Sequence, residues 1–189
     1  MSDTTVELSR QLGELQATVG RLQGLLPAIE RAGEALRQSL FSGGKVLTAG
    51  NGGSAADALH LAEELVGRFD KERPSLPAVS LCADPTLMTC IANDYGFDRV
   101  FERQIEGLGR AGDVLVIFST SGNSTNLVLA LRAARAKGMI TMALLGKTGG
   151  AARGLADHEI IVPSSTTARV QEIHTFILHA WLSLVEAGY

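Results

Sequence analysis

From Gly43 onward, short apolar runs alternate with helical patterns, and this rhythm restricts the chain to a narrow set of folds. Residues 45–49, 78–81, 114–118, 140–144 and 159–162 read as strands. Residues 54–69, 85–94, 100–108, 124–137 and 167–187 read as helices. Alternation at this spacing implies right-handed βαβ units and a mostly parallel sheet covered on both faces. Ligands in such sheets bind beyond the carboxyl ends of the strands, so the strand-to-helix loops are where chemistry is expected.

The segment before Gly43 carries no strand pattern. Leu8, Leu12, Leu15, Val19, Leu22 and Leu26 recur at spacings of three and four, which is one apolar stripe on a helix. Pro27 is expected to end that helix, and residues 29–41 to start a second. A striped helix with no sheet of its own must pack somewhere. Residues 1–42 are therefore read as a helical region packing against another subunit, and residues 43–189 as the α/β domain.

Composition removes several function classes. The net charge is −3 with both signs dispersed, so there is no basic footprint for nucleic acid or a membrane surface. Apolar residues make up 46%, which excludes disorder. Cys82 and Cys90 make neither a disulfide framework nor a zinc knuckle and read as core-type residues in a reducing compartment. The polar first ten residues lack the apolar region of a signal peptide, and no run reaches the roughly 18 apolar residues of a membrane span. A cytoplasmic protein is expected.

Two loops carry phosphate chemistry. Gly50-Asn51-Gly52-Gly53-Ser54 follows the first strand, where its glycines permit a tight turn and close approach to a ligand. Ser54 is expected to cap the next helix, with Asp57 in its first turn. The segment is neither a dinucleotide fingerprint nor a Walker loop, and a ligand-free βα turn is its plainer reading. Ser119-Thr120-Ser121-Gly122-Asn123-Ser124 follows the third strand and says more. Four hydroxyls and the N–H groups of a helix start form a neutral phosphate cradle that needs no Lys or Arg.

His60 and Glu64 stand four apart and share a helix face, as acid–base partners, metal ligands or an ordinary surface pair. Val170-Gln171-Glu172-Ile173-His174, with His179 beyond, lies on a largely apolar last helix. A histidine there reads first as a satisfied core residue. Asn93-Asp94 either bonds a sugar or terminates its helix.

Taken together, Gly50-Asn51-Gly52-Gly53-Ser54, Ala62-Glu63-Glu64-Leu65, Asn93-Asp94, the Ser119–Ser124 loop and Val170–His174 resemble the phosphoheptose isomerases of the SIS (sugar isomerase) superfamily, over essentially the whole chain. The resemblance implies a flavodoxin-like SIS fold, a five-stranded parallel sheet flanked by helices, in a homotetramer with active sites at subunit interfaces. It implies conversion of sedoheptulose 7-phosphate to D-glycero-D-manno-heptose 7-phosphate, the first step of nucleotide-activated heptose synthesis for surface polysaccharide. By that resemblance Ser119, Thr120, Ser121 and Ser124 hold the phosphate, and Asn51, Gly52, Gly53, Asn93, Asp94 and Gln171 contact the sugar. Glu64, also in contact with substrate, is the base and His179 the acid. His60, Glu64, Gln171 and His179 are the ligands of a zinc ion, one per subunit. Some members carry an acidic residue where this chain has Ala168, so no role for that carboxylate is carried over.

Aldose–ketose isomerisation moves a proton between two carbons through an enediol, which suits a carboxylate base and an imidazole acid. Gln171 and His179 are eight apart, about 12 Å along a straight helix, too far for one metal without reach or a second subunit. A site completed across subunits is the expectation. Two other readings remain. One is a non-catalytic SIS module of the kind that associates with the bacterial replication initiator, which resembles this chain over residues 73–78 and 91–94. The other is an isomerase of another phosphosugar. A binding module has no need of both Glu64 and His179.

Overall fold

The computed structural model describes residues 3–189, so the first two positions of the 1–42 region lie outside it. One sheet holds β1 (Val46–Gly50), β2 (Ala78–Ser80), β3 (Val114–Ser119), β4 (Ile140–Gly146) and β5 (His158–Val162) in the order β2-β1-β3-β4-β5. All four pairings are parallel. That order is the flavodoxin-like one, with its topological switch between β1 and β3.

Each strand feeds its two faces into separate cores. Val114, Val116 and Phe118 join one apolar cluster, and Leu115 and Ile117 join the other, as a period of two requires. The first cluster is closed by α2 (Leu26–Phe41), α3 (Gly53–Val66) and α7 (Thr167–Glu186). The second is closed by α4 (Pro85–Tyr95), α5 (Val100–Leu108) and α6 (Thr125–Ala136). Asp84 caps α4 by accepting from the N–H groups of Thr86 and Leu87, with Pro85 in the first turn.

The N-terminal segment departs from the sequence reading in one respect. Pro27 does not end the first helix. α1 (Asp3–Gly20) stops at Gly20, a 3₁₀ turn spans Leu22–Leu25, and Pro27 lies in the first turn of α2. Gly20 and Gly24 weaken the helix between them, whereas a proline at a helix start forfeits no hydrogen bond. α2 belongs to the domain's own core. Ile29, Ala32, Leu36 and Leu40 are buried, and Trp181 Nε1 donates to the Ile29 carbonyl at 2.9 Å. α1 does not share that burial. Val6, Leu8, Leu12 and Val19 stand exposed, while Arg169 Nη1 reaches the Gln11 carbonyl at 2.8 Å.

His174 is a core residue, as the apolar pattern of its helix suggests. It is fully buried, with Nε2 3.2 Å from the Leu145 carbonyl and its ring edge-on to Phe118. Burial pushes its pKa down from the ordinary 6.5 to about 4, against the Leu145 contact. Between those values the unfolded chain binds the extra proton and the folded one does not. The associated stability is therefore whole above pH 6.5 and is lost as the pH falls toward 4. At 1.36 kcal/mol per pKa unit the loss approaches roughly 3 kcal/mol. Urea melts from about pH 7.5 down to about pH 4.5 check this, and His174→Leu should flatten the decline.

Candidate active site

The carboxyl edge of the sheet holds a cleft of about 270 Å³ across β1 and β3. Asn51, Gly53, Ser119, Thr120, Ser121, Ser124 and Gln171 line it. Three helices begin there, because α3, α6 and α7 each follow a parallel strand. Their N–H ends add positive potential without a charged side chain.

The hydroxyl loop is locked from behind. Ser119 Oγ accepts from the Gly122 N–H at 3.0 Å, and Asn123 Oδ1 accepts from the Ala151 N–H at 2.9 Å. Gly122 has φ +66°, and a β-carbon there would sit 1.9 Å from the Gly149 carbonyl oxygen. Ser124 is the N-cap of α6, yet its hydroxyl makes no capping bond. Ser124 also lines the cleft.

In the first loop the cap is Gly52, at φ 58°, and not Ser54 as expected. The turn is too tight for Ser54 to stay outside the helix. Its N–H donates to the Asn51 carbonyl, and a β-carbon on Gly50 would lie 2.2 Å from the Ser54 carbonyl oxygen. Gly53 is small for a different reason: a β-carbon there would meet Gln171 Nε2 at 2.4 Å.

α3 and α7 run parallel from this cleft, in register. Gly53 faces Gln171, and Thr175 Oγ1 donates to Asp57 Oδ1 at 3.0 Å one turn on. A turn further, His60 Nε2 and His179 Nε2 face each other at 3.4 Å. Glu64 Oε1 lies 3.4 Å from His60 Nε2. Burial pushes the Asp57 carboxyl up, opposed by the Thr175 hydroxyl and by His60. Burial, then the neighbouring His60, push the His179 imidazole down, against Glu64.

The structure thus brings Glu64, His60 and His179 together within one chain. The separation of Gln171 from His179 that led to the expectation of a second subunit is present in the structure, with Gln171 at Gly53 and His179 at His60. Asn93 and Asp94 are exposed near the end of α4, with Asn93 Nδ2 bonded to Asp94 Oδ1 at 2.8 Å, and neither lines the cleft. Gly52 shapes the loop without lining it.

His60, Glu63 and Glu64 form a donor group of the kind that can hold a metal ion. A tetrahedral site with bonds of about 2.0–2.1 Å has edges of about 3.3–3.4 Å. His60 Nε2 has one such edge to Glu64 and one to His179, and the donors that lie within 4.8 Å of one another are those of His60, Glu63 and Glu64. Several neighbours carried no sequence signal. Asn126 exchanges two amide hydrogen bonds of 2.9 Å with Asn51, and the Phe69 ring stacks on His179 at 5.3 Å. Each is a single residue whose partner lies far along the chain.

A flavodoxin-like sheet with a neutral hydroxyl cradle at its switch point defines a SIS domain, and the SIS domain family profile matches residues 13–146. Full-length relatives narrow this. A phosphoheptose isomerase of Citrifermentans bemidjiense is 51% identical over 182 residues, covering 96% of this chain and 95% of its own. One from Halorhodospira halophila is 49% identical over 175 residues, 91% and 88% of the two chains. Among solved structures, a phosphoheptose isomerase from Francisella tularensis superposes with a TM-score of 0.93 at 36% identity, covering 99% and 100%. That from Neisseria gonorrhoeae gives 0.90 at 40%, covering 97% and 99%. The chain belongs to the phosphoheptose isomerase family.

Two substitutions test the cleft. Ser124→Ala removes an uncommitted hydroxyl, and Gly53→Ala drives Gln171 from its place. Hydrogen bonds to charged groups are worth about 1.5–3 kcal/mol, so titration calorimetry with a phosphosugar should show each variant binding about tenfold weaker or worse.

Proposed function

We propose that this chain interconverts sedoheptulose 7-phosphate and D-glycero-D-manno-heptose 7-phosphate, with the phosphate on Ser119, Thr120, Ser121 and Ser124 and the reacting carbons at Glu64 and His179. The supporting observation is a match of lengths. His60 lies seven residues beyond Gly53 on α3, about 10 Å at 1.5 Å per residue. An extended seven-carbon chain with its phosphate ester, at about 1.2 Å per bond, spans about 10 Å from C1 to phosphorus. A phosphate held beside Gly53, on the cleft that Gly53 shares with the hydroxyl loop, would leave C1 and C2 within reach of the His–Glu–His cluster.

Glu64 takes a proton from C1 as that C–H pair forms the C1–C2 double bond, and His179 donates to the C2 oxygen. In the second half the C1 hydroxyl returns a proton to His179 as its carbonyl forms, and the proton held on Glu64 is delivered to C2. Asn51 and Gln171 orient the hydroxyls between. His60, Glu64 and His179 are the residues that would hold zinc, one per subunit; Gln171, two turns away at Gly53, stays with the cleft. A bound zinc ion supplies Lewis-acid stabilisation of developing oxygen charge.

Asn93 and Asp94 are exposed and do not line their own cleft, and α1 carries an exposed apolar stripe. Both support a homotetramer in which residues 1–42 contribute to subunit packing and a neighbour's Asn93 and Asp94 complete each sugar site. None of the described helices is long and apolar enough to cross a membrane, which fits a cytoplasmic enzyme feeding nucleotide-activated heptose synthesis.

Proton NMR of sedoheptulose 7-phosphate with the protein, with and without a chelator, is the direct test. An aldose signal is expected, weakened by the chelator; its absence under both conditions would remove the assignment. Glu64→Gln should lower kcat by about 10²–10⁴-fold with the fold intact. Mixing Glu64→Gln with His179→Ala subunits should restore nothing, because both groups serve one chain. Mixing Glu64→Gln with Asp94→Ala should restore part of the rate.

A further inference from the structure

The buried ion pair between Arg73 and Glu186 takes no part in the chemistry above, yet it reaches both of its principal residues. Arg73 Nε donates to Glu186 Oε1 at 3.0 Å, with both side chains almost wholly withdrawn from solvent. Arg73 Nη2 donates to the carbonyl of Glu64 at 2.7 Å, and Nη1 to that of Leu65 at 2.9 Å, in the last turn of α3. Glu186 is seven residues beyond His179, on the same face of α7. Its two oxygens accept from the N–H groups of Phe69, Asp70 and Lys71 at 2.8–2.9 Å. Those bonds hold the backbone that carries the Phe69 ring, stacked on His179 with 23° between planes.

A pair that served stability alone would gain little from this chemistry. Desolvating two charges is expensive, and apolar residues of similar volume often serve a core as well or better. What the ions provide here is direction. The guanidinium donates to the carbonyls of Glu64, Leu65, Gly67 and Pro74 and the carboxylate accepts from three N–H groups, seven backbone groups that apolar packing could not satisfy. The fixed groups include the carbonyls of Glu64 and Leu65 and the backbone of the segment against His179. Such outer partners set the orientation of the groups they support.

We propose that Arg73 and Glu186 are positioning residues, which set the spacing of Glu64 and His179 by clamping the end of α3 and the Phe69 loop to α7. This rests on the roles assigned to Glu64 and His179 in the preceding subsection.

The test compares wild type, Glu186→Gln and Phe69→Leu. Phe69→Leu removes the stacking and leaves the ion pair intact. Three readouts are taken: the split between kcat and KM, zinc affinity of the metal-free protein by chelator competition, and the imidazole proton shifts of His179 in metal-free protein. A ring stacked on His179 moves those protons upfield. Both variants should lose about 10–100-fold in kcat and in zinc affinity, with KM within about threefold because the cleft is untouched. Both should lose the upfield shift, Phe69→Leu outright and Glu186→Gln through a loosened loop. A Glu186→Gln protein that melts earlier but keeps wild-type kcat, zinc affinity and His179 shifts would overturn the proposal. Should Glu186→Gln fail to fold, wild-type kcat and zinc affinity in Phe69→Leu overturn it instead. A wild-type protein that never isomerises the heptulose phosphate defeats the earlier reading, while the shift and zinc measurements still decide the clamp.

Discussion

The in-register, parallel packing of α3 on α7 is the interaction on which the rest of the site depends. Each helix follows a parallel strand, so both start at the same edge of the sheet and run away from it together. Facing residues then pair rung by rung: Gly53 with Gln171, Asp57 with Thr175, His60 with His179. The outer faces of this seam are polar and its flanks are apolar. Leu61, Leu65, Ile177, Leu178 and Leu182 anchor it in the core and leave the polar rungs no freedom to slip. Shifting one helix by a single residue would turn every rung to a new side of its helix and separate His60 from His179.

The proposed anion site meets a different demand, holding a charged ester on a chain of net charge −3. It does so with geometry and little charge. Three helix starts converge, and a glycine at positive φ lets the hydroxyl loop fold over itself against the Gly149–Ala151 turn. Preorganised neutral donors need no rearrangement when the ligand arrives, and they release it more readily than a pair of fixed cations. That suits a substrate that must enter and leave in each turnover.

Distance separates the two functions and the seam joins them. In the proposed reaction the phosphate sits on the hydroxyl loop beside the first turn of α3, and proton transfer takes place two turns along that helix. Binding strength gained at one end can therefore orient the other, which is how remote binding energy serves a reaction. The Arg73–Glu186 pair closes the far end of the same seam, so that it is pinned by the sheet at one end and by buried charge at the other.

Much of this was legible in the sequence, and what was not has a common physical origin. Alternating apolar runs dictated a parallel sheet, since strands buried on both faces and helices of one amphipathic stripe leave few other packings. The hydroxyl loop and the His60–Glu64 spacing are local, set within one turn or one βα connection, and both appeared where the sequence placed them. Register between distant elements was beyond it. Nothing local says that residue 60 meets residue 179, that Gln171 turns to Gly53, that Asn126 grips Asn51, or that Phe69 lies on an imidazole. The break at Gly20 and the entry of Ser54 into α3 are local by contrast, and follow from glycines close by in the chain. The chain's own pattern of hydrophobicity and turn residues fixes which elements form. Only the packed core, by choosing one relative rotation and translation of α3 against α7, determines which side chains share a site.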